Sequence, residues 1–404
     1  MMQMLGGTSV EFGSLSFFLL IALPIAATQL GIRGTAFSII LAAAGLVLAV
    51  SWISLPAAGL FVLALLPGWA FCRANWGRSE RKDLSLLICL ISLQISILVL
   101  TKLGAWSESL GIAGIVGLSY ITFRQIHLMV SARRMPADEP FGTINWLGYL
   151  INPWMLLAGP IQTWQQYTAG LATLRPPNSD ETLNAVHRIL TGLLKILVFA
   201  PIFYGQSDIG TLTQPNATWR DSLVVFYSYY IFLYLDFSGY VDLIIGAAKL
   251  SGYRSVPENF NKPYFATNFQ DFWGRWHITL GDWFRVYVFT PIQLAILRRW
   301  GTKYDVLAVS LSLMVVFMLI GIWHGTGWNY VMFGFFHASG VTVAYISRRV
   351  ALSLFGKEKL GAYENNILLK PIRVLACQNF IAASFVLLDN DAGQVAAYLV
   401  SVVF

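Results

Sequence analysis

Residues 84–102 read LSLLICLISLQISILVLTK, and no charge interrupts them until Lys102. A run this apolar and this long is what a membrane crossing needs, about 20 residues for a hydrocarbon layer of about 30 Å. Comparable runs lie near 15–31, 34–52, 54–72 and 110–131. Inside lipid every backbone N–H and C=O must find its partner within the protein, which leaves helices or closed barrels. Unbroken runs without two-residue alternation favour helices. The whole chain agrees, with 56% hydrophobic and 12% charged residues where soluble proteins carry about 25% charged. The 14 tryptophans suit interfacial anchoring. The reading is an all-α polytopic membrane protein.

Further along, 144–163 contains Pro153, Gly159 and Pro160, so a broken or re-entrant segment is expected there, with protein groups satisfying its backbone. Residues 164–186, with Arg175, Pro176, Pro177, Asp180 and Glu181, read as a surface loop. Spans resume near 188–206 and 219–250, and again at 305–323, 328–347 and 368–388, with a short run to Phe404; 256–304 alternates apolar and charged residues too often to face lipid. No repeat, linker or soluble domain is visible, so 1–404 reads as one membrane domain with its motif-bearing core at about 110–347. The first apolar stretch lacks a basic leader and a small-residue cleavage site, so it is expected to stay as a helix.

The net charge of +7 is not a nucleic-acid signature, because the basic residues cluster between apolar runs. Arg73, Arg78, Arg81 and Lys82, then Arg133 and Arg134, then Arg298, Arg299 and Lys303, then Arg348 and Arg349 each mark an expected cytoplasmic turn. The same residues would attract anionic membrane lipids. Cys72, Cys89 and Cys377 are too scattered for a disulfide framework or a metal site and read as packing residues. No metal is expected.

Three stretches carry the candidate chemistry. YLDFSGYVDLIIGAAKLSGYRSVPENFNKPY, Tyr234 to Tyr264, places Asp236 and Asp242 in an apolar run, where ionisable groups are functional or fix packing through a partner. NFQDFWGRWHITLGDWFRVYVF, Asn268 to Phe289, reads as a helix with Asp271, Arg275, Asp282 and Arg285 on one stripe, spaced for ion pairs one turn apart. Trp273, Trp276 and His277 fall on the opposite, aromatic face. In GIWHGTGWNYVMFGFFHASG, Gly321 to Gly340, His324 precedes Gly325, Thr326 and Gly327, so the helix is expected to break there and free polar groups around the imidazole.

These ordered stretches, with GLSYITFRQIHLM and LAGPI upstream, resemble the membrane-bound O-acyltransferases, in particular the bacterial branches for alginate O-acetylation and teichoic-acid D-alanylation. The resemblance implies a ring of tilted transmembrane helices around a central tunnel. His324 stands at the family's catalytic histidine, and His277 beside it. A cytosolic thioester, acetyl-CoA or an acylated carrier protein, would approach one end, and a polysaccharide hydroxyl or an extracytoplasmic transferase partner the other. Chemically, His324 would remove the acceptor's hydroxyl proton, and His277 would orient the acyl carbonyl or act with a partner. Trp273, Trp276 and Trp328 would shape the tunnel, and Asn329 would donate to the oxyanion. His337 reads as a packing residue. No bound cofactor is implied, and the location implied is the cytoplasmic membrane. Two departures leave the acyl group open between D-alanyl and acetyl. TPIQLAILRRWG stands where the alginate branch has a Gly-Gly-Asn-Arg loop, and Gln162 and Thr163 follow AGPI in place of the usual charged residues. The competing readings are a long-chain lipid or protein acyltransferase of the same fold, a non-enzymatic transporter, and an inactive scaffold.

Overall fold

In the computed structural model, which describes residues 15–51, 55–78, 84–102, 117–136, 141–325, 327–388 and 392–403, the first four apolar runs are the helices Leu15–Gln29, Gly34–Ser51, Leu55–Asn75 and Leu84–Leu100. Among the described residues five stretches are long and apolar enough to cross a membrane: Ser179–Thr213, Trp219–Leu250, Thr302–His324, Trp328–Asn365 and Lys370–Leu388. Among the described residues, regular structure is helical apart from one antiparallel bridge between Phe260 and Trp276. The chain is an all-α, multi-pass membrane protein. It divides into two compact units, residues 1–193 with 240–257, and residues 194–239 with 258–404.

The first unit contains the run expected over 110–131. Residues 110–116 lie outside the described residues, and the rest form Leu118–Ser131, almost wholly buried. Three polar side chains explain why this helix turns to protein and not to lipid. The fully buried guanidinium of Arg124 donates to the carbonyls of Tyr149 (2.9 Å) and Met155 (3.3 Å). Gln125 donates to the carbonyl of Ala64 at 2.7 Å, and His127 Nε2 accepts from the backbone of Trp164 at 3.1 Å. Each bond removes a penalty of about 1–3 kcal/mol that a buried unpaired polar group would carry.

The break expected in 144–163 is present. A helix over Thr143–Leu150 gives way to turns and irregular chain through Gln162, buried throughout. Its backbone is satisfied by side chains: Tyr149 Oη donates to the Gln162 carbonyl at 2.8 Å, and Asn152 Oδ1 accepts from the backbone of Trp154 at 3.0 Å. The Gln162 amide in turn donates to Tyr253 Oη (2.9 Å) and the Ser255 carbonyl (2.8 Å), so the neutral residue after AGPI is a packing anchor.

Residues 164–186 are not a surface loop. Thr163 and Gln166 exchange the two hydrogen bonds of a capping box and start the helix Trp164–Ala172. Asn178 and Glu181 make the same reciprocal exchange at the start of Ser179–Leu194. Glu181 also pairs with Arg175 (3.0 Å) and Arg254 (2.7 Å). Cys89, expected to pack inside, is exposed on Leu84–Leu100 among apolar neighbours, whereas Cys72 and Cys377 are buried.

The second unit holds the helix pair Asp305–His324 and Trp328–Asn365, followed by Lys370–Phe385 and Ala392–Val403. The span expected to stop at 347 continues to Asn365 across a non-helical Gly356. Arg348 and Arg349 therefore lie within a helix and not in a turn, and they pair with Glu364 and Asp305. Arg298 and Arg299, by contrast, sit in the last turn of Thr290–Trp300 before Gly301 (φ 89°), where their charge meets the negative end of the helix.

Removing the Arg124 guanidinium takes away the buried donor that the Tyr149 and Met155 carbonyls share. The variant Arg124→Leu is expected to lower the thermal midpoint of the detergent-purified protein by the equivalent of several kcal/mol, measured against an exposed control such as Arg285→Leu.

Candidate active site

The second unit brings together two of the three stretches singled out in the sequence and both ends of the other, 234–239 and 258–264, and its backbone differs from the expected continuous helix over 268–289. Phe269–Trp273 ends at Gly274, Trp276 pairs with Phe260 in the antiparallel bridge, and a new helix runs over Ile278–Phe284. Between them His277 takes a left-handed conformation, φ 46° and ψ 50°. The break arises because Asn259–Asn261 competes for the backbone. Asn261 donates to the Arg275 carbonyl at 2.9 Å, and Ile278 donates to the Asn259 carbonyl at 3.0 Å. The Asn259 side chain adds its Oδ1, which accepts from Thr279 N (3.1 Å) and Thr279 Oγ1 (2.9 Å) and faces His277 Nδ1 at 3.2 Å. Asn259 thus satisfies the first donors of a helix in which it takes no part.

The break does not cost the expected ion pairs. Arg275 still meets Asp271 at 2.6 Å, and Asp271 also accepts from the backbone of Thr267 at 3.0 Å. Arg285 and Asp282 pair at 2.8 Å on the exposed side, with side chains 68% and 56% accessible. The first pair braces the turn that carries His277. The second, screened by solvent, contributes little.

His277 is buried against the edge of Phe237 (ring centroids 4.8 Å) and within 6.4 Å of the Trp323 ring. Burial holds its imidazole well below the ordinary value, to about 3, and a charge on His324 would push the same way, so His277 is neutral at pH 7. His324 is the last residue of Asp305–His324, beside Trp323 (4.7 Å) and facing the edge of Phe333 (5.8 Å). As expected, the helix stops there: Gly325 is extended and the next helix starts at Trp328, while Thr326 lies outside the described residues. The two helices approach closely through glycines. A Cβ on Gly321 would meet the Tyr330 carbonyl, and one on Gly334 would come within 2.6 Å of the Phe317 carbonyl. That contact sets the position of His324.

The remaining candidates separate. Trp276 is buried in a cluster with Phe260, Phe272 and Phe385. Trp273 packs edge-on against Phe317 and His337, each at 5.1 Å. Trp328 is 41% exposed at the start of its helix. Asn329 is fully buried, and its Nδ2 donates to the Leu387 carbonyl at 2.9 Å, which ties it to the neighbouring chain. His337 is buried in the same aromatic core, 3.0 Å from Ser384 Oγ. Asp236 is half-buried on Trp219–Leu250. Asp242 belongs to the first unit, where it pairs with Arg188 at 3.0 Å. Among the described residues no group of three or more His, Cys, Asp or Glu side chains is arranged to hold a metal ion. Sequence reasoning passed over Asn259, although it stands in the quoted stretch ending PENFNKPY.

The profile of the membrane-bound O-acyltransferase family matches residues 45–360. A teichoic acid D-alanyltransferase of Bacillus subtilis is 30% identical over 227 residues, 55% of this chain and 57% of that protein. Another teichoic acid D-alanyltransferase, from Streptococcus thermophilus, is 28% identical over 286 residues, 68% of each chain. A peptidoglycan O-acetyltransferase of Helicobacter pylori is 36% identical over 152 residues, 38% of this chain and 27% of that protein. The matches thus span from about a quarter to two thirds of these relatives' lengths.

The Arg188–Asp242 pair, with side chains 21% and 16% accessible, has the character of a structural brace. Asp242→Ala and Arg188→Ala are each expected to lower the thermal midpoint, by the equivalent of about 2 kcal/mol for a charge-assisted hydrogen bond. The double variant should lose much less than the sum. Additive losses in this cycle would show that the two residues act separately.

Proposed function

The chain belongs to the membrane-bound O-acyltransferase family, and from that premise we propose that it transfers a small acyl group, D-alanyl or acetyl, from a cytosolic thioester to a hydroxyl of a cell-envelope polymer or to an extracytoplasmic partner. The observation that carries the proposal is the family match across residues 45–360, which encloses both motif histidines. The relatives' names, teichoic acid D-alanyltransferase and peptidoglycan O-acetyltransferase, support the acceptor class and span both acyl groups. Membership in an acyltransferase family weighs against the transporter reading.

In the proposed reaction His324 is the general base. Its imidazole takes the proton of the acceptor hydroxyl as that oxygen attacks the thioester carbonyl. The tetrahedral intermediate collapses with cleavage of the C–S bond, and the imidazolium returns the proton to the departing thiolate. The new ester and the free thiol balance the atoms. The place of His324 at a helix end, beside an extended glycine and an aromatic wall, supports this role. Water exclusion by Phe333 and Trp323 would protect the thioester from hydrolysis. A donor arriving from the cytoplasmic face and an acceptor from the outer face require a passage between helices at this site. That passage, the cytoplasmic-membrane location and the carrier or transferase partners are parts of the proposal.

Purified protein is to be supplied with radiolabelled acetyl-CoA and, in parallel, with a D-alanylated carrier protein, comparing wild type with His324→Ala. Transfer or thioester hydrolysis is expected from one of the two donors, with loss of at least about 10²-fold in the variant at unchanged yield and thermal midpoint. The responding donor identifies the acyl group. A His324→Ala protein that retains the wild-type rate rejects the assigned base.

A further inference from the structure

We infer that Asn259 is a positioning residue that holds His277 in the tautomer with its proton on Nδ1, leaving Nε2 as the ring's only acceptor. The deduction starts from a group that has no choice. The backbone N–H of Thr279 can only donate, and it lies 3.1 Å from Asn259 Oδ1. The alternative orientation of the amide would set Nδ2, also a donor, against that N–H, so the backbone fixes which end of Asn259 is oxygen. That oxygen faces His277 Nδ1 at 3.2 Å. An amide oxygen only accepts, so the ring nitrogen opposite it carries the hydrogen. A neutral imidazole has one N–H, and His277 is neutral, so the lone pair is on Nε2.

The arrangement is rigid. Asn259 is 0% exposed, and its own carbonyl accepts from Ile278 at 3.0 Å. His277 is flanked by the Asn259 contact on one side and the edge of Phe237 on another, and its left-handed backbone is set by the bridge before it and the helix after it. No lysine, arginine or carboxylate is needed to select the tautomer.

The consequence for chemistry rests on the acyl-transfer reading. A neutral Nε2 lone pair accepts a hydrogen bond from a hydroxyl and does not donate one to a thioester carbonyl. On that reading His277 is not the donor that polarises the acyl carbonyl, and, since the reacting hydroxyl has one proton and gives it to His324, Nε2 accepts from another donor of the bound substrates.

The test reads the tautomer directly and needs no substrate. Protein labelled with nitrogen-15 in its 5 histidines is examined in bilayers by solid-state NMR at a pH where all of them are neutral, and the His277 signals are identified by their absence in His277→Gln. A protonated Nδ1 bonded to an unprotonated Nε2 is expected in the wild type. Asn259→Asp, which keeps an acceptor at the same place but favours the charged ring, should keep the proton on Nδ1. Asn259→Leu should shift the ring to the Nε2–H form or to a mixture, and should lower the rate of transfer on the order of 10²-fold with little change in KM. A wild-type His277 protonated on Nε2 overturns the inference, even where no variant folds. So does a folded Asn259→Leu protein that retains the Nδ1–H signal. Absence of acyl transfer with the expected spectrum would count against the proposed function alone.

Discussion

A broken backbone inside an apolar protein must be given hydrogen-bond partners, and the structure meets this requirement twice with buried polar side chains. In the first unit Arg124 donates to the carbonyl of Tyr149, in the last turn of Thr143–Leu150, and to that of Met155 on the irregular chain that follows. In the second, Asn259 accepts from the N–H groups that open Ile278–Phe284. The two residues differ in sign because the segments they serve expose opposite groups, carbonyls at and after the end of a helix and N–H groups where one begins. Everything placed by those segments, including His277, depends on these bonds.

The choice of a neutral amide for the second task has an electrostatic meaning. A carboxylate at residue 259 would cap the same helix and face the same imidazole, but it would also favour the charged form of His277. An arginine or lysine would lack an acceptor altogether. An amide gives an acceptor without a net charge, and the ring stays neutral in its buried setting. The charged pairs of this region, Asp271 with Arg275 and Asp282 with Arg285, are partly or largely exposed, whereas the surroundings of His277 are aromatic and amide.

What the sequence revealed follows the range over which each signal acts. Apolar runs and proline interruptions are local, so the helices at 34–51 and 305–324 and the break after 150 were legible from residue types alone. The stop at His324 was legible from the glycines that follow it. The helical pattern over 268–289 misled because its 3.6-residue spacing is genuine in short pieces: Asp271 does reach Arg275 one turn away. What cancels the helix between Trp273 and Ile278 is the strand-like pairing with 259–261, a contact between segments that no periodicity encodes. The capping box at Thr163 and Gln166 was a local signal present in the sequence and outweighed by the surrounding polar residues and prolines. The burial of Leu118–Ser131 was hidden for the opposite reason. The partners of its polar residues, Tyr149 and Met155 for Arg124, Ala64 for Gln125 and Trp164 for His127, lie far away in sequence.

The same distinction bears on the two histidines. His324 owes its place to a helix end and to close packing of glycines 321 and 334, features of its own helical hairpin. His277 owes its place, its backbone conformation and its ring's hydrogen bond to residue 259, which lies 18 positions away in sequence. A substitution in the hairpin should therefore displace the proposed base while leaving His277 oriented, and a change at Asn259 should alter His277 while leaving the helix end at His324 intact. Two imidazoles that sequence motifs present as one constellation are thus held by independent supports, and the effects of disturbing each can be separated.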